Sequence, residues 1–532
     1  MTLFYTLIFA ILMLIDWARI SWAGAQWAPM VNLVGILLAV LILSGFSWKK
    51  VTWKPYILWW CVCFLVAGGY YPIWYDNQGY LIVLHYISVA LNIGAIGTVG
   101  IRFLQDKLWC RWNRPKGTRQ ILTVGIWVFM SLYMCLSPMN SVWPIWFLVL
   151  FGAFYLMPFG EDRKRALKQG VYAGIVTGFY AIQIWAFGFR PYDEIRYKGA
   201  YSNSNMNGMM YMITYMVLLV KMYEWFQLPK NGKRKFLLAY HAILLAGVWG
   251  FMFMTGCRTA IYVSLFCTVV WGVVLFIQSH TKGLVLWRNV LRTAVVGVTS
   301  AVLVALVFPM CYMAARYLPC ILHHPVWWEG EYQVYKVHSY DPWDSAKYTS
   351  FDVLLDSILE RYEVVSLSEV DAEPYYLVSN TQMLSDLSNT SYLEDLLMSK
   401  TGSMRSLGIR GAVYLRYLSN LNMLGHETVE GHFKFSDGYV TYHAQNVWIQ
   451  IAFYYGLPAG VALVLLTFLT GERVFRNMRK DSIDSWELFS TLIWICFFGY
   501  GALEVVWYPG MMIFFLIFLI QKDLKESEDA VS

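Results

Sequence analysis

The stretch Ile261-Tyr-Val-Ser-Leu-Phe-Cys-Thr-Val-Val-Trp-Gly-Val-Val-Leu-Phe-Ile277 contains no charged residue. A helix needs about 20 mainly apolar residues to cross the hydrocarbon core of a membrane, which is about 30 Å thick. Polarity does not alternate along the stretch, as it would in a transmembrane β-strand. The stretch therefore predicts a membrane-spanning helix.

Similar apolar blocks recur along the chain of 532 residues, of which 58% are hydrophobic and 14% are charged. Soluble domains contain about 25% charged residues, so a soluble fold is disfavoured. We predict an all-α polytopic membrane protein of about 14 transmembrane helices, within a range of about 12–14, and one large extracytoplasmic loop domain. The predicted spans lie near residues 2–22, 29–46, 55–73, 80–101, 119–137, 141–159, 170–189, 205–221, 236–254, 258–278, 290–315, 441–470, 486–504 and 507–521.

The positions of lysine and arginine test these spans, because short cytoplasmic loops carry an excess of positive charge. When the N-terminus is placed inside, every second loop is basic, and these loops hold most of the 41 basic residues. The first segment lacks the basic region and cleavage site of a signal peptide, so we expect it to be a transmembrane helix. The pattern predicts a multi-pass protein of the cytoplasmic (inner) membrane with both termini in the cytoplasm.

Residues 318–440 hold half of the chain's 34 acidic residues, which predicts a solvated domain outside the cytoplasm. Residues 1–317 then form an N-terminal bundle of about 11 helices. Residues 441–523 form about three further helices, and residues 524–532 form a cytoplasmic tail.

Two clusters of polar residues lie on the predicted outer face. Arg196 precedes a helix start that contains Asn203 and Asn205, whose side chains can cap the helix. Exposed N–H groups at such a start attract anions. The second cluster is Thr-Gly-Cys-Arg258-Thr, whose small residues favour close helix contact and an arginine that faces the bundle interior. Ordinary capping and a snorkelling arginine are the purely structural alternatives.

A third cluster runs from the end of the loop domain into the next span and contains Arg410, Arg416, His426, His443, Gln445 and Asn446. Most histidines of the outer loop are expected to be plain surface residues. His443 differs, because it lies where a solvated domain enters a membrane helix, and desolvation there can tune a base.

These clusters, in this order, resemble the superfamily of O-antigen ligases and O-antigen polymerases. The family's helix-start motif is matched by Gly199-Ala-Tyr-Ser-Asn-Ser-Asn205, its Thr-Gly-Ser-Arg-Gly turn by Thr255-Gly-Cys-Arg-Thr259, and its loop arginine by Arg410. The spacing between Asn446 and Gly456 is that of the family's last motif. The resemblance covers roughly residues 190 to 460.

Two positions depart from the family pattern. Ser204 replaces a proline, and Gln445 stands where the family usually has histidine, with His443 two residues earlier. Some members of the family have a sequence similar to His-x-His-Asn, and His443 would occupy the position of its first histidine. The second departure leaves the identity of the base open.

The resemblance implies a metal-independent, inverting glycosyltransferase without a cofactor, acting outside the cytoplasmic membrane on undecaprenyl-pyrophosphate-linked glycan. Guanidinium groups suit a pyrophosphate leaving group, and an imidazole suits the proton of an acceptor hydroxyl. The predicted catalytic residues are His443, Arg410 and Arg258, and the predicted substrate-binding residues are Arg196, Asn203, Asn205, Arg416, His426, Gln445 and Asn446.

Several alternatives stay open. The acceptor is the growing glycan in a polymerase, which the size of the acidic loop favours, and another lipid or protein in a ligase. A transporter, either a flippase or a small-anion carrier, is disfavoured because intramembrane charges are few. A scaffold of an envelope-assembly complex is a further alternative. The expected partners are the lipid-linked glycan, membrane lipid and other polysaccharide-assembly proteins, with no role for nucleic acid.

Overall fold

The structure is a computed structural model that describes residues 1–22, 27–46, 51–70, 79–105, 117–139, 143–157, 159–190, 192, 195–201, 203–229, 231–281, 286–322, 326–329, 334–337, 339–362, 405–435, 438–478, 483–507 and 511–522. Its helices are α1 Thr2–Trp22, α2 Trp27–Leu43, α3 Lys54–Tyr70, α4 Gly79–Gln105, α5 Thr118–Met134, α6 Trp143–Leu156, α7 Glu161–Phe189, α8 Ser204–Gln227, α9 Gly232–Met254, α10 Arg258–Thr281, α11 Leu286–Ile321, α12 Phe351–Tyr362, α13 Arg405–Ser419, α14 Val447–Tyr455, α15 Leu457–Asn477, α16 Ser485–Gly501 and α17 Met512–Gln521. Two antiparallel hairpins join β1 Val326–Glu329 to β2 Val334–Val337 and β3 Phe433–Lys434 to β4 Val440–Thr441.

Within these ranges, six helices are long and apolar enough to cross a membrane. They lie in α4, α7, α9, α10, α11 and α15. This length and composition are those of an all-α, membrane-spanning protein. The predicted fold class is confirmed at that level.

Helices α1 and α7 pack along each other through a row of glycines. A Cβ atom added at Gly170, Gly174 or Gly178 would lie 2.3–2.5 Å from the Cβ atoms of Tyr5, Phe9 and Met13, respectively. Small residues at every fourth position let two membrane helices approach closely. The glycines of α7 therefore dock the first helix of the chain.

Helix α8 lies at the centre of the bundle, where most of its residues are buried. It contacts α7, α9, α10 and α16. The N-terminus of α8 faces the segment around Arg196 and the turn between α9 and α10. We call this side, together with residues 405–446, the loop end of the bundle.

At the opposite end, which we call the basic end, cations cap the last turns of helices. Arg163 donates to the carbonyls of Leu41 and Ile42 at 2.9 and 3.3 Å. The guanidinium of Arg473 donates to the last carbonyls of α17. Cations near a helix C-terminus satisfy its open carbonyls and oppose its negative dipole end. The charges of this end are thus built into the packing.

Lys522 caps α6 in the same way, and we expect its substitution by methionine to lower the thermal stability of the protein. The ammonium lies 2.6 Å from the carbonyl oxygens of Phe154 and Met157 and 4.3 Å from the ring centre of Phe159. Methionine keeps the apolar stem but leaves these carbonyls without a donor, at a cost of about 1–3 kcal/mol. Thermal unfolding of the purified protein measures the effect. Lys235→Met, at an exposed lysine, is the control, and equal melting of both variants would contradict the capping role.

One predicted span differs in the structure. The stretch 441–470 was expected as a single helix, but it contains the junction of α14 and α15 at Gly456, whose φ is 91°. That backbone conformation cannot continue a right-handed helix and favours glycine. The stretch therefore forms two helices, the first of which begins at Val447 rather than at residue 441.

Candidate functional site

The first predicted cluster assembles at the start of α8. Asn203 caps the helix, as its sequence position predicts, by accepting a hydrogen bond from the Asn205 backbone N–H at 2.8 Å. The side-chain amide of Asn205 then bridges two charged groups. Its Oδ1 accepts from Arg196 Nη2 at 2.5 Å, and its Nδ2 donates to Glu504 Oε1 at 2.8 Å. Arg196 and Glu504 are therefore linked through one amide.

The turn between α9 and α10 holds the other side of Arg196. Arg196 Nε donates to the Thr255 carbonyl at 3.0 Å. In the same turn, the buried Cys257 thiol lies 3.6 Å from the hydroxyl of Tyr500, which also donates to the Asn205 carbonyl. Arg258 follows at the first position of α10 and is half-buried. The structure therefore places the first two clusters side by side.

Arg410 reaches the same site from α13. Its side chain is half-buried, and its positive charge and that of Arg196 both act on the Glu504 carboxylate. Among the residues that the structure describes, the Arg410 guanidinium donates no hydrogen bond. A half-buried guanidinium with open donors can bind an anion with two parallel hydrogen bonds.

The segment after α16 connects α13 to the start of α14. The carbonyl oxygen of Ala502 lies 2.7 Å from the Tyr414 hydroxyl and 3.1 Å from Asn446 Nδ2. Asn446 Oδ1 accepts from the backbone N–H groups of Trp448 and Ile449 at 3.1 Å and so caps α14. Since both ends of its amide are engaged, Asn446 orients the helix rather than presenting a free amide.

His443 lies outside the helices, three residues before this cap. Although part of its side chain is exposed, the surrounding protein desolvates the imidazole and lowers the pKa of His443. The Gln445 backbone N–H donates to His443 Nδ1 over a long 3.3 Å contact, and Gln445 itself has a φ of 50°. The Gln445 side chain donates to the Tyr439 hydroxyl at 2.9 Å. This contact makes Nδ1 the hydrogen-bond acceptor of the ring.

Two predicted binding residues are placed in packing contacts elsewhere. The His426 ring stacks on Phe453 with 4.2 Å between ring centres, and its Nδ1 lies 3.0 Å from Glu430. The Arg416 guanidinium lies 5.6 Å from the ring centre of Phe435. Neither side chain is placed at Glu504. Each contacts residues of its own neighbourhood instead.

Glu504 is the site residue that the motifs did not indicate. It is 9% exposed and lies in the segment that follows α16. The signal in the sequence was an isolated acid at the outer end of an apolar span. A buried carboxylate needs partners, but the sequence alone could not name Asn205, which lies 299 positions earlier.

Two glycines let the loop before the β3–β4 hairpin pack closely against the junction between α14 and α15. A Cβ on Gly425 would lie 2.3 Å from the Tyr454 carbonyl oxygen, and one on Gly456 would lie 2.1 Å from that of Met423. Both glycines have a φ of 91°. Backbone atoms of the loop and of the junction between α14 and α15 thus approach closely, beside the capped start of α14.

We expect Gly456→Ala to reduce folded protein strongly, because the new Cβ would overlap a backbone oxygen that cannot move aside. Gly438→Ala is the matched control, since Gly438 has a φ of 84° but no atom within 4 Å of its added Cβ. It should cost only the backbone strain, about 1 kcal/mol. Membrane abundance and thermal unfolding measure both variants. Similar losses in the two would show that close approach plays no part.

In the described part of the chain, no group of three or more His, Cys, Asp or Glu side chains could hold a metal ion. No family model, curated protein or solved structure matches the chain. Fold and site together define an all-α membrane protein with a cationic, partly buried site at one end of its bundle.

Proposed function

We propose that this protein is a membrane glycosyltransferase that uses an undecaprenyl-pyrophosphate-linked glycan. The observation that carries the proposal is the link from Arg196 through Asn205 to the buried Glu504 carboxylate, on which the positive charge of Arg410 also acts. Two guanidiniums from different elements provide the charge and the forked donors that a pyrophosphate leaving group requires. Arg258 begins the neighbouring helix and supplies a third cation.

His443 is the proposed base. Within the described chain, its Nδ1 accepts the long 3.3 Å contact from the Gln445 N–H, which an acceptor hydroxyl can replace. The hydroxyl proton then passes to Nδ1 while the hydroxyl oxygen forms a bond to the anomeric carbon. The bond from that carbon to the pyrophosphate breaks, and the electron pair leaves with the phosphate oxygen. In-line displacement inverts the anomeric centre.

The proposed topology has fourteen spans in the cytoplasmic membrane, with α14 and α15 forming one interrupted span. The basic end would face the cytoplasm, where the positive-inside rule places lysine and arginine. The loop end, with residues 318–440, would face outward, so that lipid-linked glycan on the outer leaflet reaches the arginines. The contacts of Arg163, Arg473 and Lys522 at the opposite end support this orientation.

Polymerisation of repeat units is favoured over transfer to another acceptor. The acidic segment 318–440 has the size to accommodate a glycan chain, and acidic surfaces do not attract the phosphates of an anionic lipid acceptor. A ligase with the same donor site remains the second member of this class.

Release of undecaprenyl pyrophosphate by the detergent-solubilised protein tests the proposal. A glycosyltransferase cleaves the donor in the presence of an acceptor, whereas a transporter moves the intact lipid. Release that requires the protein and depends on Arg410 is the expected result. An intact donor, with uptake or flipping by the reconstituted protein, would overturn the proposal in favour of transport.

A further inference from the structure

Glu504 is an unexpected residue in a site for an anion, since its negative charge opposes the proposed ligand. Burying a carboxylate costs free energy unless cations and hydrogen bonds compensate for the lost water. Desolvation is the largest effect on Glu504, and Arg410, the amide of Asn205 and Arg196 offset part of it. The inference below rests on the proposed function and assigns a role to this carboxylate.

The carboxylate fixes the orientation of the Asn205 side chain. An asparagine amide has a donor end and an acceptor end of nearly identical shape, so its partners decide which way it points. Glu504 can only accept when ionised, and it therefore holds Nδ2, which leaves Oδ1 for Arg196. In the reverse orientation, the NH₂ group of Asn205 would face the N–H groups of Arg196, and neither could accept a hydrogen bond.

Arg196 is consequently held at two points. Nε is bound to the Thr255 carbonyl and Nη2 to Asn205, which fixes the plane of the guanidinium. The backbone of Asn205 is fixed separately by the Tyr500 hydroxyl. The orientation of the Arg196 guanidinium thus depends on Glu504, which acts on it indirectly through the Asn205 side chain.

Glu504 is poorly placed to be the base. In an inverting displacement the base lies on the face of the sugar opposite the leaving group. Glu504 shares its surroundings with the two arginines that would bind that leaving group, so it belongs to the pyrophosphate side.

We propose that Glu504 is a positioning residue, which orients Arg196 through the Asn205 amide, so that this guanidinium and the Arg410 charge address one pyrophosphate. The carboxylate would act on the leaving group only through these arginines. Its removal would leave donor binding by the lipid and the glycan largely intact and would weaken the electrostatic stabilisation that develops as the bond breaks.

The test compares Glu504→Gln with Asn205→Ala and the double variant in the donor-cleavage assay. We expect Glu504→Gln to lower kcat by roughly tenfold or more while KM changes less than about threefold. Glu504→Asp, which keeps the charge, should retain more activity than Glu504→Gln. In the Asn205→Ala background, Glu504→Gln should have a much smaller further effect, because the link to Arg196 is already broken.

Glu487→Gln is the matched control. Glu487 is also a buried glutamate of the α16 region, but it belongs to the capping box at the start of the helix, at the basic end. Glutamine can replace glutamate in a capping box, so kcat should not change.

Wild-type protein that cleaves no donor would overturn the proposed function and this inference together. Wild-type activity with an unchanged kcat in Glu504→Gln, or fully additive losses in the double variant, would overturn the inference alone. If Glu504→Gln does not accumulate, a folded Asn205→Ala variant with wild-type kcat would overturn it equally.

Discussion

Replacing Arg410 with alanine is expected to lower the turnover of the lipid-linked donor by about 100-fold, the usual cost of removing one preorganised donor to a developing negative charge. The half-buried Arg410 guanidinium acts on Glu504 without donating a hydrogen bond within the described chain. Its loss breaks no hydrogen bond within the described chain, so the effect on turnover should be larger than the effect on the fold. Undecaprenyl pyrophosphate release and membrane abundance are the two measurements.

Lysine at position 410 should recover part of the loss, because it restores the charge but not the forked donors. The control is Arg119→Ala, which removes an exposed arginine that is paired with Glu472. Its turnover should match that of the wild type. Normal turnover in Arg410→Ala would remove the main support for a pyrophosphate site.

Replacing His443 with alanine should lower turnover by about 100-fold or more without reducing membrane abundance, since general bases contribute about 10²–10⁴-fold. In the wild type, desolvation lowers the pKa of His443, so the imidazole stays neutral to a lower pH than an ordinary histidine. Turnover should consequently fall only as the pH drops below about 6.5. A pH profile of kcat measures this acidic limb.

His432→Ala is the matched control for this variant, because His432 is exposed. Its ring packs edge-to-face with that of Tyr442, with 4.9 Å between the ring centres. We expect it to keep the activity and the pH profile of the wild type. Full activity in His443→Ala together with an inactive Gln445→Ala would move the role of the base to another group.

Local chemistry explains which parts of the site could be predicted. Asn203 caps α8 and Asn446 caps α14, because capping depends on a few neighbouring residues. Arg196 is predicted as a cation on the outer side beside a capped helix start, and Arg410 as the match to the loop arginine of the resembled family. In the structure Arg196 is joined to Glu504 through Asn205, and the charge of Arg410 acts on the same carboxylate.

Long-range contacts explain what the sequence could not indicate. The stacking of His426 on Phe453 depends on how two distant segments meet, and its role in substrate binding stays a prediction. At Gly456, where the predicted span is interrupted, the backbone lies against the Met423 carbonyl. The spacing of apolar residues along the span cannot indicate such a contact. Glu504 acquires its role only when α8 and the end of α16 come together.

The most direct measurement is the incubation of purified protein with lipid-linked repeat units and no other acceptor. A polymerase should convert them into a ladder of longer lipid-linked glycans and release undecaprenyl pyrophosphate, and Arg410→Ala should abolish both. Donor cleavage that requires a different acceptor would identify a ligase with the same donor site. Neither ladder nor cleavage under any acceptor would contradict the account.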